Sequence, residues 1–205
     1  MTPVVSAVIL AAGLSSRMGG PHKLLLEVGR EPMVRCVVRA TLGVSPVETV
    51  VVTGFRAAEI MAALEGLPVR FVHNTDYAEG QAGSVAAGVH ALTAPCQAFM
   101  IVLGDQPLLT SMHLRLLLDG FASAPDGRSI LVPCRQSQRG NPIVIAAGHI
   151  AAITDGGLNI GCRRLIDSHP DLVARIELNH DAFFTDCDTL DDYKVLQSLV
   201  RLDAR

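Results

Sequence analysis

A chain of 205 residues with 20 acidic against 17 basic side chains, formally −3, lacks the basic surplus that nucleic-acid binding usually requires. Its 49% apolar content is split into short runs, none approaching the roughly 18 to 20 residues of a membrane span. No Lys or Arg precedes the apolar start as one would in a secretory signal, so a cytoplasmic chain bound to neither nucleic acid nor membrane is expected.

No Pro/Gly/Ser-rich linker divides the chain, and one domain over residues 1–205 is expected. The run Val4–Leu10 is rich in β-branched residues and suits a strand buried on both faces of a parallel sheet. It ends in Ala11, Ala12 and Gly13, and a loop with Ser15, Ser16, Gly19 and Gly20 follows, carrying Arg17 and Lys23. Small residues, exposed amide donors and two cations are what a polyphosphate needs: close backbone approach, many hydrogen bonds and neutralised charge. The Walker spacing GxxxxGK[ST] is absent, because Lys23 is followed by Leu24. The dinucleotide spacing GxGxxG is absent too.

Leu24–Val28 is expected as a short strand, and Pro32 as the first residue of a helix to about Leu42. Strands are predicted at Glu48–Thr53 and Val69–His73, with a helix over Arg56–Leu64 between them. Such alternation means βαβ units around a parallel sheet. Residues Asn74 to Gly88 then fall at the same carboxyl edge as the first loop, where open α/β sheets bind ligands. There Gly80 and Gly83 tighten the turn, and Ser84 is placed to cap a helix Val85–Leu92.

Gln97–Leu103 is the next buried strand, ended by Gly104-Asp105-Gln106-Pro107. A carboxylate at the tip of a central strand, facing a loop with two cations, is placed to hold Mg²⁺ against triphosphate oxygens. A helix Met112–Phe121 capped by Thr110, a strand Ser129–Pro133, a polar loop Gln136–Arg139 and a strand Ile143–Ile145 opened by Gly140-Asn141-Pro142 follow. Gly156 to Leu165 reads as a glycine-rich entry to a helix bearing Arg163 and Arg164, and Leu172–Glu177 as a late strand. In the final TDCDTLDD segment Thr189 caps the closing helix Asp191–Leu202 with Asp192 three residues on, which leaves Asp186 and Asp188 free for other work. Those two are read as alternating to opposite sides of an extended segment. The seven histidines have no metal spacing and are expected mostly at the surface.

The segment LAAGLSSRMGGPHK, with LGDQP at Leu103–Pro107, VTGFR at Val52–Arg56, HNTDYAEG at His73–Gly80 and DCDTLDD at the end, resembles the molybdenum cofactor cytidylyltransferases. The resemblance implies a single-domain, Rossmann-like three-layer α/β/α nucleotidyltransferase fold of the GT-A-like type with a mostly parallel sheet. It implies CMP transfer from CTP to the terminal phosphate of a molybdopterin-type cofactor, with Mg²⁺, and a molybdoenzyme or its maturation chaperone as a further partner. On this reading Arg17, Lys23 and Asp105 are catalytic. Leu10, Ala11, Ala12, Gly13, Asn74, Gly80, Gly83, Ser84 and Gly104, with Arg17 and Lys23, bind the nucleotide. Asp105, Asp186 and Asp188 hold the metal, and Asn141, Arg163 and Arg164 meet the acceptor. Two departures stand out: Asn141 where these proteins usually have His, and Leu190 where they usually have Pro. A sugar or polyol phosphate acceptor, or a non-catalytic cofactor carrier, are the alternatives; the full Arg17, Lys23, Asp105 set argues against a mere carrier.

Overall fold

The computed structural model describes residues 2–154 and 166–203. In chain order its elements are β1 (Val5–Ala11), β2 (Glu27–Val28), β3 (Glu31–Pro32), α1 (Met33–Leu42), β4 (Glu48–Thr53), α2 (Ala57–Ala63), β5 (Arg70–His73), α3 (Gln81–His90) and β6 (Ala98–Leu103). There follow α4 (Ser111–Ala122), β7 (Ile130–Arg135), β8 (Gln138–Arg139), β9 (Ile143–Ala146), α5 (Ile150–Thr154), β10 (Val173–Glu177) and α6 (Leu190–Asp203).

Strand β1 is buried along its whole length and pairs in parallel with β4 on one side and β6 on the other. The sheet runs β10-β7-β9-β6-β1-β4-β5, with β8 beside β7. Among the described residues of this sheet, only the pairings of β9 with β6 and β7, and of β8 with β7, are antiparallel. The sheet is therefore mostly parallel, and β1, β4, β5 and β6 all end at one edge.

The two faces of β1 are divided by residue parity, as strand geometry demands. Val5, Ala7, Ile9 and Ala11 pack with Met33, Val34, Val37 and Val38 of α1 and Leu117 and Leu118 of α4. Val8, Leu10 and Ala12 pack with Val85 and Val89 of α3 and Ile153 of α5. Helices thus cover both faces, in three layers. α3 sits close enough to the sheet that a Cβ on Gly88 would stand 2.3 Å from Val8 Cγ1 and 2.7 Å from Val52 Cγ2. Glycine at that position sets the helix-to-sheet distance.

Several expected boundaries shift for local reasons. The expected strand Leu24–Val28 is instead a 3₁₀ turn at Lys23–Leu25 followed by the small β2–β3 hairpin. Pro32 lies in β3, one residue before α1, with extended ψ of 140°. α3 begins at Gln81, immediately after Gly80 at φ 120°, so Ser84 lies inside the helix and caps nothing. Part of the expected polar loop Gln136–Arg139 pairs back onto β7 as β8. Thr110 and Thr189 cap α4 and α6 as expected. Thr110 exchanges hydrogen bonds with His113, and Thr189 does so with Asp192. Among the described residues no helix is long and apolar enough to cross a membrane.

Candidate active site

The carboxyl ends of β1 and β6 are drawn together first by backbone. The Gly104 amide donates to the Leu10 carbonyl at 3.0 Å, and a Cβ on Gly104 would lie 2.8 Å from that same oxygen. Next to this junction the Ala12 carbonyl accepts from the Phe55 amide at 3.2 Å, which ties the loop after β1 to the end of β4. The loop then turns through Ser15 at φ 54°, and its hydroxyl accepts from the Lys23 amide at 3.2 Å. Lys23 is aimed inward by that clamp.

Its ammonium donates to Asp105 Oδ2 at 2.5 Å and to Asp188 Oδ1 at 2.7 Å. Arg17 closes the group from outside, 2.7 Å from Asp188 Oδ2 and largely exposed. The segment carrying Asp188 is held against the tip of β6 by the Cys187 amide, which donates to the Asp105 carbonyl at 3.1 Å. Residues more than 80 positions apart in the chain thereby form one charged cluster at the sheet edge. Burial opposes the charge on Lys23, but the Asp105 and Asp188 carboxylates outweigh it and hold the ammonium above its ordinary pKa. Asp186 is pushed the other way for a carboxyl: burial first, then the charges of Asp105 and Asp188, raise it. Asp105 Oδ1 is buried and has no hydrogen-bond partner among the described residues.

A cavity of about 390 Å³ opens over this cluster, lined by Leu10, Ala12, Gly13, Tyr77, Gln81 and Ser84 as well as the charged residues. Asp186 and Asp188 both line it, which corrects the expectation that they face opposite ways. In an extended segment it is neighbours that alternate, so residues two apart share a side. Arg17, Lys23, Asp105, Gly80 and Ser84, all singled out from the sequence, line it too. Ala11, Asn74, Gly83 and Gly104 do not line it: Ala11, Asn74 and Gly104 are buried and Gly83 is exposed. The side-chain amide of Asn74 donates to Ser84 Oγ at 3.0 Å, and Asn74 Oδ1 accepts from the Asp76 amide at 3.1 Å. It staples the β5 end to α3.

A second cavity of about 650 Å³ adjoins the first, sharing Gln81 and Leu103. Its walls are Val85, Ile101, Val132, Ile143 and Ile166; Ser137, Asn141, Arg139 and Asp167 supply polar groups. Arg139 is paired with Asp167 at 2.5 Å, so this lobe has no net charge among the described residues. Asn141 lines it, and its backbone N–H donates to the Phe183 carbonyl at 2.9 Å. Arg163 and Arg164 lie outside the described residues.

Sequence reasoning missed three residues. Tyr77 and Gln81 line the first cavity, and a signal existed in their place on the segment after β5. His22 is only 2% exposed, contrary to the expected surface position, with its ring stacked on Phe55 at 5.8 Å and 13°. Burial, and then Arg56, lower its pKa, so the ring packs neutral beneath the loop.

Among the described residues no group of three or more His, Cys, Asp or Glu side chains stands ready to hold a metal ion. A hard cation such as magnesium takes only one or two protein carboxylates, its other ligands being phosphate oxygens and water. The orphaned Asp105 Oδ1 and the all-oxygen set of Asp105, Asp186 and Asp188 fit that requirement.

Comparison with known proteins agrees with the fold. A family model described as the MobA-like NTP transferase domain matches residues 7–173. The nicotine blue oxidoreductase of Paenarthrobacter nicotinovorans is 31% identical over 202 residues, which cover 95% of this chain and 97% of that protein. The bifunctional protein GlmU of Solibacter usitatus is 30% identical over 159 residues; the match takes in 76% of this chain, which spans about a third of GlmU's length. Among solved structures, a nucleotidyl transferase from Methanothermobacter superposes with a TM-score of 0.82 at 25% identity, covering 98% of this chain and 99% of that one.

Proposed function

This chain belongs to the MobA-like NTP transferase domain family and is a nucleotidyltransferase, and from that premise we propose that it transfers CMP from CTP to the terminal phosphate of a molybdopterin-type cofactor, with magnesium, releasing pyrophosphate. The observation that carries the acceptor assignment is the second lobe. Every candidate acceptor brings a phosphate, so the body of the molecule discriminates: a sugar or polyol, all hydroxyls, would require a pocket lined mainly by hydrogen-bonding side chains. Among the described residues the lobe is instead walled by Val85, Ile101, Val132, Ile143 and Ile166, with Arg139 paired to Asp167. Apolar walls with a few hydrogen-bonding groups suit a flat heterocycle. Asn141 offers an amide that both donates and accepts, where an imidazole usually stands in the cytidylyltransferases.

In this reading the triphosphate occupies the smaller lobe above the loop from Gly13 to Lys23. Lys23 and Arg17 place two positive charges where pyrophosphate departs, and Ala12, Tyr77 and Ser84 border the base and ribose. Bound magnesium would supply charge that orients the triphosphate and offsets the charge developing on it. Asp105, with Asp186 or Asp188, would hold it. The acceptor phosphate attacks the α-phosphorus, the bond from that phosphorus to the β-phosphate oxygen breaks, and pyrophosphate leaves. The nucleophile is already an anion, so no side chain needs to remove a proton. Positioning and electrostatics supply the acceleration.

A second reading follows from the near full-length likeness to nicotine blue oxidoreductase: an oxidoreductase that takes a dye as its substrate. Three clustered carboxylates have no task in that chemistry, and they favour phosphoryl chemistry here. The test is an acceptor panel with α-labelled CTP and Mg²⁺: molybdopterin, sugar phosphates and polyol phosphates, beside an assay for oxidation of a reduced nicotinamide nucleotide by a planar dye. Label transfer to molybdopterin above the other acceptors is expected. Transfer confined to a polyol phosphate, or dye reduction without label transfer, would overturn the proposal.

A further inference from the structure

The Lys23 ammonium stands between Asp105 Oδ2 and Asp188 Oδ1, and all three side chains are largely shielded from water, at 14%, 16% and 22% exposure. A monovalent cation thus sits among the carboxylates that a divalent one would use. Resting on the metal role proposed above for Asp105 and Asp188, we infer that Lys23 is a placeholder: it keeps the nucleotide-free site closed to divalent cations, and moves onto the triphosphate only when nucleotide is present.

The physical reasons are charge and mobility. With Asp105 and Asp188 paired to Lys23 and Arg17, two of the three carboxylates at the site are already balanced, and a free divalent ion, which must also shed water to enter, is attracted far less than by three bare carboxylates. Displacing Lys23 without nucleotide would leave an ammonium in a part-buried site with no compensating oxygen of equal charge. A triphosphate removes that obstacle, because its oxygens can accept the ammonium directly. The side chain is suited to the exchange: lysine is a point charge on a flexible stem, with no planar fork to re-register. The backbone need not follow, since the Lys23 amide is fixed on Ser15 Oγ and its carbonyl accepts from the Leu26 amide at 3.1 Å. The consequence for the reaction is order: cation and nucleotide enter together, and cation alone is held weakly.

Manganese, counted free and bound by its electron paramagnetic resonance signal, tests this on the full chain. In the absence of nucleotide, Lys23→Met is expected to bind Mn²⁺ at least about tenfold more tightly than wild type, the scale of an ordinary coupling between two sites. Adding an α,β-methylene analogue of CTP should tighten Mn²⁺ binding by wild type to a similar degree. If Lys23→Met gains nothing, while wild type with the analogue binds Mn²⁺ in a manner lost in Asp105→Asn, the placeholder fails and the metal site stands. If Asp105→Asn takes up Mn²⁺ with the analogue as well as wild type does, the metal reading itself fails. A second measurement needs no variant: the ¹H–¹⁵N ammonium signal of Lys23 should be unmoved by Mg²⁺ alone and shift with Mg²⁺ plus the analogue. A shift with Mg²⁺ alone would overturn the inference.

Discussion

Replacing Asp105 by Asn separates the chemistry of the site from its stability. The amide keeps the shape of the carboxylate and removes its charge. Lys23 loses one charge-assisted hydrogen bond of 2.5 Å but keeps the one to Asp188 at 2.7 Å. A hydrogen bond to a charged group contributes about 1.5–3 kcal/mol. Part of that is retained, because Asn Oδ1 can still accept from the ammonium. Relief of Asp186, whose carboxyl is raised by burial and then by the charge of Asp105, offsets more. The net loss should be about 1 kcal/mol, which for a chain of this length lowers Tm by about 2–4 °C. Turnover should fall much further, by at least about 10²-fold, the scale of removing one preorganised electrostatic group. Pyrophosphate release at saturating Mg²⁺ and CTP, beside a thermal melt by circular dichroism, reads both effects. A variant that keeps turnover within threefold of wild type would refute the assignment of Asp105, and a fall in Tm above about 10 °C would refute the reasoning that Asp188 retains the lysine.

Gly88→Ala should destabilise although alanine is the better helix former: a Cβ 2.3 Å from Val8 Cγ1 forces α3 off the sheet, costing about 1–3 kcal/mol against at most about 1 kcal/mol gained in propensity. A denaturant midpoint at or above wild type would contradict that packing. Glu48 joins β4 to the segment after α3: burial opposes its charge, but hydrogen bonds from the Thr93 amide, Arg70, the Ala94 amide and the Thr93 hydroxyl pull its pKa down to about 2. Since the folded pKa lies below the ordinary 4.5, this contribution is complete above about pH 4.5 and is lost as pH falls towards 2. Glu48→Gln should therefore lower Tm at pH 7 and flatten its dependence between pH 5 and about 2, read by thermal melts across that range. On the proposed placement of the base, Ala12→Gly should widen the first cavity and weaken the proposed preference for CTP over GTP by about 10-fold or more without inverting it, since one methyl-sized change is worth about 1–3 kcal/mol; unchanged relative kcat/KM for the two nucleotides would contradict the role of that methyl.

Much of the fold was legible because periodicity and burial speak locally. β4 has the limits the pattern predicts, and the apolar run at the start becomes the central strand, since a strand covered on both faces must be apolar on both. What local pattern could not supply was partnership. Asn74 and Ser84 read as loop and cap residues, but Asn74 spends its side chain on Ser84 and Asp76 because α3 starts four residues early, after Gly80. The antiparallel insertion of β9 between β6 and β7 depends on pairings across the sheet that no segment encodes alone. In the site, the spacing of Arg17, Lys23 and Asp105 pointed to one charged cluster. That Lys23 would bridge Asp105 and Asp188 depends on contacts between residues 82 and 165 positions away, which only the closed fold brings together. His22 was missed for a simple reason: a lone histidine in a glycine-rich loop has no pattern that tells stacking on Phe55 from exposure.

The mass of the product decides both the nucleotide and the acceptor. Protein is incubated with Mg²⁺, molybdopterin, and CTP and GTP at equal concentration, and the dinucleotide products are separated and weighed by mass spectrometry. A molybdopterin cytosine dinucleotide is expected as the dominant product, formed with one pyrophosphate per transfer and absent without Mg²⁺. A dominant guanine dinucleotide, or CTP recovered intact beside unmodified molybdopterin, would contradict the proposed transfer.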